Sequence, residues 1–178
     1  MLESLDNDRD AQADVAVHGQ RQHHPSQHHG AVIYLDLDNF KPLNDRHGHV
    51  AGDRLLQEVG HRLLSSVRGQ DTVARLGGDE FVVLLIELNP DWSMAIQEAT
   101  LVAEKLRETL ARNYVLSIDK NGGPTKTVEH QCTASLGVTV FRPSESNADA
   151  ILRRADDAMY RSKAKGRNQI RFADEWLG

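Results

Sequence analysis

Apolar residues along this chain recur with two different periods. Ala31-Val-Ile-Tyr-Leu35 is a short run rich in β-forming residues that passes directly into Asp36-Leu37-Asp38, and it reads as a buried strand ending in acid. Between Val50 and Val67, the residues Leu55, Leu56, Val59, Leu63 and Leu64 return at helical spacing and predict an amphipathic helix. Asp71 to Leu76 and Glu80 to Glu87 read as two strands of a hairpin joined at Gly77-Gly78. Phe81 to Ile86, the longest unbroken apolar run, has the character of a strand buried on both faces. Ala95, Ala99, Val102, Leu106 and Leu110 predict a second long helix, and Asn121-Gly-Gly-Pro124 is a turn signal ahead of the β-rich run Cys132 to Phe141. Ile151, Leu152, Ala155, Ala158 and Met159 mark a last helix, with Gln169 to Phe172 as a closing strand.

This order predicts an α/β (α+β) sandwich, with helices flanking a mostly antiparallel central sheet. The opening residues follow neither period. The stretch His18 to His29 holds five of the nine histidines, but no carboxylate or thiol is regularly spaced with them, so it reads as a polar, solvated loop rather than a metal site. Residues 1–29 are therefore taken as an N-terminal segment of the same domain that residues 30–178 form.

Composition narrows the function more than the fold. A chain of 178 residues, 39% hydrophobic and 26% charged, suits one soluble domain, and no apolar run is long enough to span a bilayer. No apolar stretch follows a basic start, and the single cysteine, Cys132, has no internal partner, so the cytoplasm is the expected compartment and no membrane contact is expected. The net charge of −5 argues against a nucleic-acid surface, while leaving room for a local basic cluster that holds a small polyanion.

Three separated segments carry polar groups in excess of what a core needs. One runs from Asp36-Leu37-Asp38 through Asn39-Phe40 to Asn44 and Asp53; the second is Arg75-Leu-Gly-Gly-Asp-Glu-Phe81; the third is Tyr160-Arg-Ser-Lys-Ala-Lys-Gly-Arg-Asn168. If the first strand's end and the hairpin tip are neighbours, Asp36 and Asp79 come close together. Two carboxylates about 4 Å apart repel by roughly 4 kcal/mol at an effective dielectric near 20. A divalent cation offsets this directly, and oxygen donors without thiol or imidazole favour magnesium, with manganese as the alternative. Magnesium usually keeps positions for water and substrate phosphates, which points to a nucleotide. Gly77 and Gly78 allow a tight turn and a close approach of substrate to backbone.

Taken together, Leu35-Asp-Leu-Asp-Asn-Phe-Lys-Pro-Leu-Asn-Asp45, Gly48-His-Val-Ala-Gly-Asp53, Arg75 to Phe81 and Tyr160 to Asn168 resemble the GGDEF-domain diguanylate cyclases, in order, over residues 30 to 172. The resemblance implies a palm-like fold and the condensation of two GTP into cyclic di-GMP with release of pyrophosphate. It implies that Asp36, Asp79 and the carbonyl of Leu37 bind the metal, and that Glu80 either completes the metal shell or helps to deprotonate the attacking 3′-hydroxyl. Asn44 and Asp53 are similar to the family's guanine-reading pair, with donors and acceptors that match guanine. Lys163 and Arg167, with the backbone N–H groups around Asn39 and Phe40, look like phosphate ligands. One such site holds one GTP, so two domains must face each other in a homodimer, which can be transient. Arg68-Gly-Gln-Asp71 resembles the family's product-inhibition site, with Lys105 or Arg107 as candidates for an assisting cation.

The family's usual opening, Asp-x-Leu-Thr-Gly-Leu-x-Asn-Arg, is matched only in part by Leu2 to Arg9, which lacks the threonine and glycine. A competing expectation is therefore a catalytically weak or inactive GGDEF domain that serves as a receptor for cyclic di-GMP or GTP.

Overall fold

The computed structural model describes residues 27–118 and 126–173. Five strands form one sheet in the order β2-β3-β1-β6-β7. They are β1 (His29–Asp38), β2 (Thr72–Gly77), β3 (Glu80–Leu88), β6 (Thr133–Phe141) and β7 (Ile170–Phe172). Pairing is antiparallel throughout except for β7, which runs parallel to β6. The helices are α1 (Phe40–His47), α2 (His49–Leu64), α3 (Trp92–Leu110) and α4 (Ala148–Ala164). The α+β sandwich expected from the sequence is the fold observed.

The central strand β1 is longer than its apolar run because both its edges are paired, with β3 on one side and β6 on the other, so the ladder carries it through the two acids. Alternation then sorts its side chains. Ala31, Ile33, Leu35 and Leu37 enter the main core with Leu55, Val59 and Leu63 of α2 and Ala99, Ala103 and Leu106 of α3. Val32 and Tyr34 face the other way, with Val82, and pack on Ile151, Ala155 and Met159 of α4. Asp36 and Asp38 continue this second face past the end of its apolar patch, which is why the acids emerge beside α4.

Gly137 of β6 fixes how closely α4 approaches. A β-carbon there would run into the backbone at Ala155 and Met159. The apolar stripe of α4, with Ala155 and Ala158 fully buried, therefore lies directly on the sheet.

A second sheet pairs β4 (Tyr114–Ile118) with β5 (Lys126–His130). It has no counterpart in the sequence reading, since Tyr114, Leu116 and Ile118 alternate with exposed positions over only five residues. Arg62 of α2 holds this region to α3: its guanidinium donates to the carbonyls of Thr109, Arg112 and Asn113 at 3.1, 2.8 and 2.7 Å and lies 3.6 Å over the Tyr114 ring.

Two boundaries move relative to expectation. The helix expected over 50–67 ends at Leu64, and a separate short helix, α1, precedes it across Gly48, which takes φ 83°. His29 does not belong to a solvated loop: it opens β1, is 8% exposed, pairs its Nδ1 with the carbonyl of Asn89 at 2.9 Å and packs 5.0 Å from the Trp92 ring. The remaining histidine-rich stretch through residue 26, the segment Leu2 to Arg9 and the Asn121–Pro124 turn lie outside the described residues. Among the described residues no helix is long and apolar enough to cross a membrane.

Candidate active site

The three polar segments meet at one end of the sheet. In the β1–β3 register Asp36 stands opposite Glu80, and the N–H of Leu37 donates to the carbonyl of Asp79 at 3.2 Å. Asp79 sits in a two-residue turn after Gly78, whose φ of 52° suits glycine. Arg75 locks this turn, donating through Nε and Nη2 to the Gly78 carbonyl at 3.0 and 2.8 Å. The hairpin tip is thus held at the mouth of the site by an arginine that the motif reading did not single out.

Asp36 is 5% exposed. Its carboxyl is held above the usual range, chiefly by burial, with the neighbouring Asp79 and Glu80 adding to the effect and the Lys163 ammonium opposing it. Lys163 Nζ lies 2.6 Å from Asp36 Oδ2. Tyr34, on the same face of β1, donates from its hydroxyl to Glu80 Oε2 at 3.2 Å. Burial, followed by the charge of Glu80, pushes this phenol up to about 12, so it remains a donor at every working pH.

Asp38, two residues along the same face, has a different role. It is 2% exposed and accepts from Thr133 Oγ1 at 2.6 Å, Ser135 Oγ at 2.8 Å and the backbone N–H of Asn168 at 3.1 Å. A fully satisfied carboxylate of this kind ties β1 to β6 and to the loop after α4. That loop is tightly wound, with Gly166, Arg167 and Asn168 all at positive φ (118°, 64° and 44°). Ser162 secures it, accepting at its carbonyl from the Arg167 N–H at 3.2 Å and donating its hydroxyl to the Gln169 carbonyl at 2.6 Å. Asp38 was legible in the sequence as the second acid of Asp36-Leu37-Asp38, but nothing in the sequence separates a structural acid from a ligand.

Between these elements lies an open depression of about 260 Å³, lined by Asp36, Asp79, Lys163 and Arg167 and by the chain from Leu37 to Pro42. Asn39 enters α1 in the left-handed conformation, φ 60°, and makes no side-chain cap. The first turn of α1 carries no acid, and Asn39 and Phe40, at the positive end of this helix, line the depression.

Asn44 and Asp53 are delivered by α1 and α2 on either side of the Gly48 link. Asn44 Oδ1 is buried without a partner among the described residues, and a β-carbon on Gly52 would run into it. Asp53 is exposed. A buried orphan acceptor beside an exposed carboxylate is the polarity that a base edge bearing N–H donors would satisfy.

The fourth expected cluster lies apart from this site. Asp71 accepts from the N–H groups of Arg68 and Ile86 at 2.9 and 3.3 Å, so it closes the turn between α2 and β2. Lys105 donates to the Ser66 carbonyl at 2.8 Å, next to that turn. Arg107 points elsewhere, pairing with Glu104 at 2.8 Å and reaching Asn168 Oδ1 at 3.2 Å.

A palm-like α+β sandwich with a glycine hairpin, strand-end acids and a basic helix end at one edge defines a GGDEF-type domain. Residues 2–169 match the family described as diguanylate cyclase, GGDEF domain, and the chain belongs to that family. It is 39% identical over 142 residues, 80% of the chain, to the bifunctional diguanylate cyclase/cyclic di-GMP phosphodiesterase MucR of Pseudomonas aeruginosa, of which it covers 18%. To diguanylate cyclase A of Treponema denticola it is 35% identical over 140 residues, 79% of the chain and 34% of that protein. The chain thus spans about a third or less of these relatives. The crystal structure of the GGDEF domain of YfiN from Pseudomonas aeruginosa superposes with a TM-score of 0.70 at 32% identity, covering 83% of this chain and 84% of that one.

Proposed function

We propose that this domain condenses two molecules of GTP into cyclic di-GMP and two pyrophosphates, each of two facing domains presenting one GTP. The observation that carries the reading is the placement of Asp36 on β1, Asp79 in the adjoining hairpin turn and Glu80 opposite Asp36 on β3, at a depression that Lys163, Arg167 and the start of α1 also line.

Asp36, Asp79 and the Leu37 carbonyl would hold magnesium, or manganese in its place. The donor set fits: it is all oxygen, Asp36 is held above the usual carboxylate range by burial and then by its acidic neighbours, and the same depression is lined by Lys163 and Arg167. When bound, the ion would supply charge stabilisation at the reacting phosphoryl group.

Lys163, Arg167 and the N–H groups at the start of α1 would orient the triphosphate, while Asn44 and Asp53 would read guanine. The 3′-oxygen of one GTP attacks the α-phosphorus of the other, a new P–O bond forms, and the bond to pyrophosphate breaks. The 3′-hydroxyl proton leaves toward Glu80 or water. Tyr34, donating to Glu80 Oε2, would hold that carboxylate in place for this role. A second such attack, with the roles of the two nucleotides exchanged, closes the ring and releases the second pyrophosphate.

Feedback by product at Arg68 and Asp71 is part of the same reading, with Arg68 supplying most of the attraction because Asp71 is already bonded to two backbone N–H groups. A cytoplasmic setting follows from the substrate.

Incubation with GTP and magnesium should yield cyclic di-GMP, ATP should not substitute, and Asp79→Ala should remove turnover while leaving the fold intact by circular dichroism. Binding of cyclic di-GMP without any turnover, even at high protein concentration, would replace the cyclase by the receptor reading.

A further inference from the structure

Asp36 and Asp38 lie two residues apart on one face of one strand, yet the protein answers their charges in different ways. Ser135 of β6 stands directly opposite Asp36 in the ladder, but it gives its hydroxyl to Asp38. Asp38 is matched by hydroxyls and a backbone N–H, short donors that are fixed in place. Asp36 is matched by the ammonium of Lys163, at the end of a long flexible stem whose side chain is 32% exposed. Lys163 lies one turn beyond Met159, which anchors α4 to the sheet, so its four-carbon stem with rotatable bonds springs from a fixed base.

Lys163 lines the depression where a triphosphate would lie, as does Arg167. Among the described residues no three acidic or imidazole side chains already converge in a metal-binding arrangement, and the cation that Asp36 meets is Lys163. A divalent ion on Asp36 would face this ammonium at close range, repelled twice as strongly as a unit charge would be. With a divalent ion on Asp36, that repulsion favours turning the ammonium's N–H donors from the carboxylate to a phosphate.

We infer that Lys163 is an exchangeable counter-ion of the metal site: it holds Asp36 until a divalent ion enters, then transfers to the triphosphate. The inference rests on the reading of Asp36 as a metal ligand. Metal and nucleotide then load as a coupled pair. The ion alone is held weakly because it must evict Lys163, and the triphosphate helps it by giving the evicted ammonium a new partner. The domain is thereby protected from sequestering free metal when no nucleotide is present.

The test is Mn2+ binding without nucleotide, followed by the paramagnetic signal of the free ion. It would use the wild type, Lys163→Met, Lys163→Gln, Arg167→Met and Asp36→Asn. Lys163→Met should bind Mn2+ about tenfold tighter than the wild type, within the usual range of coupling between sites. Lys163→Gln, which can still hydrogen-bond Asp36, should also bind more tightly, and it supplies the answer if the methionine variant folds poorly. Arg167→Met removes an equal charge from the same depression without touching Asp36 and should stay within about twofold of the wild type, as expected for a solvated charge. The rise in melting temperature on adding Mn2+ should be larger for the Lys163 variants than for the wild type.

Unchanged or weaker Mn2+ binding in both Lys163 variants overturns the inference and leaves the metal site standing. An equal gain in Arg167→Met overturns it too, since the effect would then be one of general field. Undiminished Mn2+ binding in Asp36→Asn instead removes the metal site from Asp36 and with it the reading on which the inference stands.

Discussion

Asp36 and Asp38 show what a single residue type can mean in this fold. Asp38, fully bonded, is part of the framework, and Asp38→Ala should cost about 3 kcal/mol in chemical denaturation, because two hydroxyls and an N–H lose a charged acceptor. Asp36 behaves in the opposite way. Its folded carboxyl binds protons more readily than an ordinary one, so the native state carries more protons than the unfolded chain, and the contribution of this group to stability falls as pH rises through that window. In a chelating buffer at neutral pH, Asp36→Asn should therefore melt higher than the wild type, and the advantage should shrink as pH drops toward the range of ordinary carboxylates. Melting curves across pH check this, and a lower melting point for Asp36→Asn at neutral pH would contradict it. The residue expected to cost stability is the one the proposed chemistry needs.

Elements set the distances between such residues, and α4 is the one that matters most. Its closeness to β6 depends on Gly137, where a methyl group would meet backbone rather than a yielding side chain. Gly137→Ala should cost about 1–3 kcal/mol of stability, the usual range for overpacking. It should also lower turnover more than that loss explains, since Lys163 and Arg167 ride on the displaced helix. Assays well below the variant's melting temperature separate the two effects.

The long elements were legible because their periods are unambiguous: the apolar stripe of α2, the β-rich runs of β1 and β3, and the stripe of α4. The β4–β5 pair was not, because five-residue strands with alternate exposed positions give too little signal. The helix α1 was hidden within a motif, since Phe40 to His47 has one buried residue, Leu43, and no stripe to read. At the site, the acids and basic residues were found by type and spacing. The bonds that distinguish Asp36 from Asp38, and the Tyr34 contact to Glu80, depend on which strand lies opposite, which no local pattern records.

At the scale of the whole molecule, one domain would offer one nucleotide site, and the proposed reaction needs two. Turnover per domain should therefore rise with protein concentration until pairs saturate, while two copies joined in tandem by a flexible linker should lose that dependence. Initial rates of cyclic di-GMP formation over a dilution series test this, and a rate per domain that stays constant on dilution of the single copy would count against a pairing step.

The bond from Asn168 to Asp38 spans 130 residues of chain. A polypeptide emerging from the ribosome presents its strand-end acids early, but the loop that completes the set around Asp38 arrives only after α4. Until then Lys163 and Arg167 have no fixed place beside Asp36, so a chain cut before residue 168 would lack the bond that completes Asp38, and the proposed nucleotide site would assemble only once α4 and that loop are in place.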